Sequence, residues 1–291
     1  MEAVKPYLWM VAGSLSFATM AALSRALAIS ADWRLLALAR SGLMLLFAGA
    51  IALALRTRLT LGSPALWTRS LIGSLGMLST FYALTHLPIS DAVTLLHSYP
   101  IWVFLLSWVA LRSHPGPKVW IAGALGLLGV VLIAQPHFAE ARLALLVALG
   151  SSICTALVML NLNRLGHLDS HAVVVHFSVI STAICAAVFL ISGAEIPRAV
   201  VADPQGVAML LGVGLSGTLG QIALTRAFAL GDAPRVSMVA LTQILFVLAY
   251  EWLFWPKPYS LLTLAGMILV AAPTAWLLLI RPLDGPGRTL P

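Results

Sequence analysis

The chain has 291 residues, of which 60% are hydrophobic and only 9% charged, and its mean hydropathy is +0.99. A soluble domain carries about 25% charged residues, so this composition excludes a water-coated globule and requires a lipid-facing surface. The net charge of +7 does not signal nucleic acid: Lys and Arg are scattered singly between apolar runs with no basic stripe, so no nucleic-acid partner is expected. Cys154 and Cys185 both fall inside apolar runs and read as reduced packing residues, neither a disulfide nor a metal pair.

A membrane-spanning helix needs about 20 apolar residues. Runs of that kind lie near 7–24, 34–55, 65–86, 90–111, 118–135, 142–163, 171–192, 206–230, 235–255 and 260–280. The first is too long for the apolar region of a cleaved leader and lacks a small-residue cleavage site, so it reads as a retained helix. Thr57, Arg58, Gly62 and Pro64 punctuate the second break, His114 to Pro117 the fourth, and Asp203 to Gly206 the seventh. Between the third and fourth runs the break is only Leu87-Pro88-Ile89-Ser90-Asp91, which predicts a tight hairpin. Pro100 lacks an amide proton and is expected to loosen the fourth helix around Leu96. Asp91 and Asp232 stand where a negative charge suits a helix N-terminus. The tail 282–291 is expected to be disordered.

An even number of spans places both termini on one side. The loops on that side hold eleven Lys and Arg residues, among them Arg56, Arg58 and Arg69, against six on the other, among them Arg25 and Arg40. The positive-inside rule therefore puts both termini in the cytoplasm, with the chain multi-pass in a bacterial inner membrane.

Gly73-Ser74-Leu75-Gly76 and Gly217-Thr218-Leu219-Gly220 lie 144 positions apart, and at the same offset Ala83 meets Ala227, Trp102 meets Phe246 and Trp108 meets Trp252. Recurrence at one offset predicts a duplication, with repeats over 1–137 and 138–281. Five spans per repeat is odd, so the second enters the membrane reversed. The expected fold class is an all-α membrane protein of ten transmembrane helices in two inverted-topology five-helix repeats. Substrate sites of such folds lie near the midplane between the halves.

The stretch from Tyr82 to Ala92, Pro100-Ile101, and Gly123-Ala124-Leu125-Gly126-Leu127-Leu128-Gly129-Val130 together resemble the drug/metabolite transporter superfamily, in its ten-helix EamA-type branch. Among its members the chain is most similar to exporters of aromatic amino acids of the YddG type. The resemblance covers nearly the whole chain and implies a central cavity formed largely by helices 3, 4, 8 and 9. Arg40 stands where that family often has an arginine. Two departures are evident: the acidic residues that usually close helices 4 and 9 are missing at Leu111 to His114 and Trp255 to Lys257, and Ile244 stands at the equivalent of Pro100.

Polar side chains inside a span are costly and mark either a cavity or a helix contact. At helical spacing, Leu75, Ser79, Tyr82 and His86 share a face, as do Thr94, His97, Ile101 and Trp108. Ser151, Ser152, Thr155, Met159 and Asn163 form a third face, Gln221, Thr225 and Phe228 a fourth, and Gln243, Tyr250 and Phe254 a fifth. Rings beside amides and hydroxyls suit an amphipathic organic solute. Candidate substrate contacts are Ser79, Tyr82, His97, Ile101, Thr155, Asn163, Gln221 and Gln243. Serines and threonines also commonly bond their own backbone, which gives each of them a packing role as the alternative. Gly73, Gly76, Gly217 and Gly220 would let helices slide closely, and Pro100 would serve as either a gate or a packing kink. Glu251 is the one carboxylate clearly within a span; it either couples protons or pairs with Arg25 or Arg40. Trp9, Trp33, Trp67, Trp120, Trp255 and Trp276 read mainly as interface anchors.

Two motifs invite other functions. Gly212, Gly214 and Gly217 spell a dinucleotide fingerprint, but within an apolar helix and with no strand before it. Gly214-Leu215-Ser216-Gly217 spells the G-x-S-G of intramembrane serine hydrolases, which would need His97 or His176 beside Ser216. No P-loop or metal cluster is present, so neither cofactor nor metal is expected, and the chain reads as no enzyme. The expected function is export of small organic solutes, amino acids including aromatic ones foremost, by alternating access. The alternatives are another metabolite or drug, an intramembrane hydrolase, or a non-catalytic scaffold. Expected partners are a small-molecule substrate and membrane lipids, with the protein either a monomer or a homodimer.

Overall fold

The computed structural model describes residues 4–27, 32–60, 62–87, 89–111, 116–135, 142–197, 202–255 and 259–279. Twelve helices follow along these residues: α1 Lys5–Leu27, α2 Trp33–Ala54, α3 Pro64–His86, α4 Ile89–Leu96, α5 Tyr99–Leu111, α6 Pro117–Ala134, α7 Arg142–Arg164, α8 Ser170–Ile191, α9 Pro204–Leu230, α10 Ala233–Ala240, α11 Thr242–Phe254 and α12 Leu261–Leu279. Among the described residues, eight helical stretches are long and apolar enough to cross a membrane, with α4–α5 joined over Ala92–Val109 and α10–α11 over Ala233–Phe254. The helix α3, which carries Arg69, Ser70 and Ser74, falls outside that set, and Leu261–Trp276 is apolar but shorter. The chain is a multi-pass integral membrane protein. The proposed boundary at 137–138, the tail 282–291 and the Asp91 side chain lie outside the described residues.

Helix starts follow local chemistry. The Asp32, Asp169 and Asp203 carboxylates accept from the amides of Arg34 (2.7 Å), His171 (2.7 Å) and Gly206 (3.1 Å); each satisfies a backbone N–H that the first turn leaves without a partner. Pro64, Pro117 and Pro204 sit in first turns, where no amide proton is needed. α6 ends at Gln135 in the left-handed region, φ 46°.

The fourth and ninth spans are not continuous, as their apolar runs suggest, but broken at His97-Ser98 and at Leu241. At the first break Pro100 removes one bond, since it cannot donate to Leu96. The second has no proline, since Ile244 stands at the equivalent of Pro100. At both breaks a hydroxyl bonds the carbonyl three residues back: Ser98 donates to Leu95 (2.6 Å) and Thr242 to Val239 (2.7 Å). Backbone amides tighten in the same way, Ser98 to Leu95 and Leu241 to Met238. Such hydroxyl back-bonding competes with the regular ladder and bends helices.

Packing pairs α1 with α9, α3 with α7, α2 with α8 and α6 with α12. Lipid chains are as apolar as leucine, so these contacts depend on small residues and polar links. At the α6–α12 crossing a side chain on Gly129 would meet the Gly266 carbonyl at 2.7 Å, and one on Gly266 would meet that of Gly129 at 2.6 Å. Between α3 and α7, Ser151 donates to the Gly76 carbonyl (2.9 Å) and shares a 2.8 Å bond with Thr80. The outer surface carries bare leucines and isoleucines, including Leu46, Leu53, Leu190 and Ile191, the lipid-facing shell that the composition demands.

Candidate functional site

A cavity of about 510 Å³ lies at the centre of the bundle, walled by residues of α1, α2, α3, α7, α8, α9 and the two broken spans. Its wall is mostly apolar: Met10, Phe17, Met20, Met77, Phe81 and Phe177 are among its residues. The two breaks both reach it, through His97 and Tyr99 on one side and Ala240 and Gln243 on the other. An apolar pocket with a few convergent polar groups is the usual form of a small-molecule site.

Of the residues singled out from sequence, His97, Thr155, Gln221 and Gln243 line this cavity. His97 Nδ1 bonds the Val93 carbonyl at 3.0 Å, which requires the proton on Nδ1 and leaves Nε2 as an acceptor. Ser79, Tyr82, Ile101 and Asn163 do not line it. Tyr82 stacks on His86 with ring centroids 3.9 Å apart and meets the edge of Trp33 at 6.4 Å. Asn163 donates to the carbonyls of Phe228 (2.9 Å) and Gly231 (2.8 Å); it holds the end of α9. Helical spacing placed Asn163 on the same face as Thr155, but two further turns carry it past the cavity to the bundle end.

The glycine pairs pack against particular partners. A side chain on Gly73 would lie 3.2 Å from Phe177, on Gly76 3.2 Å from Cys154, on Gly217 3.1 Å from Met20, and on Gly220 2.9 Å from Phe17. They therefore admit α7 and α8 onto α3, and α1 onto α9; Gly73 and Gly76 also face the cavity.

Four cavity-lining residues carry formal charge: Arg25, Arg40, Arg69 and Glu251. Glu251 pairs with Arg25 and not with Arg40, and the Arg25 guanidinium also lies 5.0 Å from the Trp255 ring centre. Beside them Thr19 and Tyr250 share a 2.8 Å hydrogen bond between α1 and α11. Arg40 is 9% exposed and Arg69 1%. The sequence alone assigned Arg69 to a loop, yet it stands in the second turn of α3 with its guanidinium 3.9 Å from the Phe177 ring centre. Its signal was positional: it is five residues inside an apolar run and four before Gly73. Arg40 and Arg69 leave opposite sides of the loop-charge comparison, so the excess is unchanged. Trp33 and Trp255 likewise line the cavity instead of serving only as interface anchors.

The hydrolase alternative finds no chemistry here. The Ser216 hydroxyl bonds the Gly212 carbonyl of its own helix, and His176 bonds Ser70 at 2.8 Å. Among the described residues no three His, Cys, Asp or Glu side chains gather as a metal site requires. Cys154 and Cys185 are free.

Comparison with known proteins agrees with this picture. Residues 4–135 match the EamA-like transporter family. A "Pseudopaline exporter CntI" of Pseudomonas aeruginosa (strain UCBPP-PA14) is 29% identical over 211 residues, 72% of each chain. The riboflavin transporter of Rhizobium johnstonii is 26% identical over 207 residues, 70% of this chain and 67% of that one. One solved crystal structure superposes with TM-score 0.82 over 94% of this chain and 98% of its own, at 16% identity, a likeness of fold alone.

Proposed function

We propose, for a multi-pass membrane transporter whose residues 4–135 are of the EamA-like family, that the central cavity holds a small organic solute and exposes it to each side of the membrane in turn. The observation that carries this reading is the cavity itself, walled by helices from both halves of the chain and bordered by both broken spans. Relatives of this kind are transporters and not enzymes.

The ten-span, inverted-repeat architecture belongs to the proposal. Three features support it. The breaks at His97 and Leu241 are separated by the same 144 positions as the sequence matches. The back-bonding hydroxyls, Ser98 and Thr242, have that spacing too. The partners also exchange between halves: the first span packs on the eighth, and the third on the sixth. We read residues 1–137 and 138–281 as the two repeats. Both termini then face the cytoplasm, in a bacterial inner membrane. Rocking of α3 with α4–α5 against α9 with α10–α11 would alternate access, with Gly73, Gly76, Gly217 and Gly220 as close contacts.

The proposed cargo is amino acids, aromatic ones included, moved outward; Phe17, Phe81 and Phe177 would receive a ring, and His97, Gln221 and Gln243 would orient its polar end. Relatives named for pseudopaline and riboflavin widen the class to other metabolites and drugs. The test is flux of labelled amino acids and of larger metabolites into proteoliposomes, with and without an imposed pH gradient. Saturable flux that a bulky residue at Gly76 abolishes is the expected result. Liposomes as impermeable to every solute as protein-free controls would overturn it.

A further inference from the structure

Among the described residues, two cavity cations have no counter-ion. Arg40 Nε, and both Nε and Nη1 of Arg69, are buried without a hydrogen-bond partner. Neither side chain forms an ion pair among the described residues, and the one carboxylate on the cavity wall, Glu251, is engaged by Arg25. The two guanidinium groups are near enough to repel one another. The polar groups beside them carry no negative charge: Cys185 lies by Arg40, and His176, by Arg69, is bonded through Nδ1 to Ser70 while its Nε2 is also buried without a partner. Phe177 offers Arg69 a ring face, which eases the burial of a cation without neutralising it.

A buried charge without a partner costs several kcal/mol, and an ionisable group inside a membrane span is a candidate functional site by default. Here the cost recurs twice in one cavity, and among the described residues no free carboxylate offsets it. We propose that Arg40 and Arg69 together bind the oxyanion of the transported solute, making the cargo an organic anion in net charge. This rests on the reading of the cavity as the transport site, and within that reading it replaces amino acids by organic acids as the favoured cargo. Guanidinium forks match carboxylates in two-point geometry, and the aromatic and methionine wall receives the apolar remainder. A free amino acid would satisfy the arginines with its carboxylate but would leave its ammonium unmatched, because Glu251 is already paired. The site therefore favours an acid without the amine over its zwitterionic analogue.

Phenylpyruvate and phenylalanine share a ring and a carboxylate and differ in the ammonium, so they test the point directly. Binding to the purified full chain in detergent is measured by thermal shift and calorimetry, with indole-3-acetate as a second organic acid and inorganic phosphate as a third probe. Phenylpyruvate or indole-3-acetate is expected to bind at least about tenfold more tightly than phenylalanine, and Arg40→Gln and Arg69→Gln each to weaken that binding by about ten- to a hundredfold. Without ligand, both Gln variants should melt no lower than wild type, because each removes an uncompensated buried charge. Arg40→Lys and Arg69→Lys keep the charge and should fall between wild type and Gln, which serves if a Gln variant does not fold. Equal affinity for phenylalanine and phenylpyruvate overturns the proposal. So does failure of both acids to bind, indifference to the arginine substitutions, or phosphate binding as tightly as the acids. Acid binding with no flux in proteoliposomes would sink the transport reading and leave the anion site standing. Amino-acid flux untouched by Arg40→Gln and Arg69→Gln would do the reverse.

Discussion

Ser98 and Thr242 stand 144 positions apart and make the same bond: each hydroxyl donates to the carbonyl three residues before it, at the break of a span that borders the central cavity. Pro100 marks the first break alone. The hydroxyl bond, and not the proline, is therefore what the two breaks have in common.

A first prediction concerns that device. Pro100→Ala should leave the α4–α5 break in place and transport within about threefold of wild type, because Ser98 still diverts the Leu95 carbonyl. Ser98→Ala combined with Thr242→Ala should slow transport more than either single change. Amide hydrogen exchange over 95–101 and 239–245 would follow the breaks directly, and a double variant with unchanged exchange and flux would refute the shared role.

A second concerns Arg25 and Glu251, which link α1 to α11 across one end of the cavity. Their side chains are 34% and 32% exposed, so solvent screens the pair and its contribution to stability should not exceed about 1 kcal/mol. Arg25→Gln and Glu251→Gln should each change transport, and the exchanged pair Arg25→Glu with Glu251→Arg should recover part of it. If Glu251 instead carries protons, the exchange will not rescue, and Glu251→Gln alone will remove any dependence of flux on an imposed pH gradient.

Gly129 and Gly266 meet backbone to backbone. Alanine at either should force α6 from α12 and destabilise by about 1–3 kcal/mol, as overpacking does. Gly42 has nothing within 4 Å of where a Cβ would stand, so Gly42→Ala should be neutral or stabilise by up to about 1 kcal/mol through helix propensity. Melting temperatures of the three variants in one detergent would decide between them.

Asn163 ties α7 to the end of α9 through two carbonyls. Asn163→Ala should lose about 1–3 kcal/mol of stability, the range for two hydrogen bonds, with little change in the KM for transport. A raised KM at unchanged stability would return Asn163 to the substrate site.

Ser216 spends its hydroxyl on its own helix. Ser216→Ala should leave flux within about twofold and stability within about 1 kcal/mol, the ordinary net value of one hydrogen bond. Loss of an otherwise measurable peptidase or esterase activity in that variant would contradict the transport assignment.

Much of this was legible in the chain itself. Composition required a lipid-facing surface, because too few polar residues exist to coat a globule, and the apolar runs predicted where helices would lie, since a helix is the local answer to unsatisfied backbone in hydrocarbon. The cap at Asp232, which accepts from the Arg235 amide, depends on bonds within four residues and was equally readable. The candidate site was legible only in part. Helical periodicity put His97, Thr155, Gln221 and Gln243 on inward faces, but it put Ser79, Tyr82, Ile101 and Asn163 there too, because a face has a direction along one helix and no depth or neighbour. The second break was hidden as well, since the turn at Leu241 leaves no gap in an apolar run.

What the sequence determined by itself, then, was local: which segments are helical, that they are apolar on the outside, and that motifs recur after 144 positions. The tertiary structure decided which charges meet. Arg25 and Arg40 were equal candidates for Glu251 in the sequence, and Arg69 read as a loop residue. Only the packing of α1 on α11, and of α3 on α8, pairs the first with a carboxylate and leaves the other two facing a cavity alone. Charge pairing depends on distances between helices, and no pattern along a single helix encodes those.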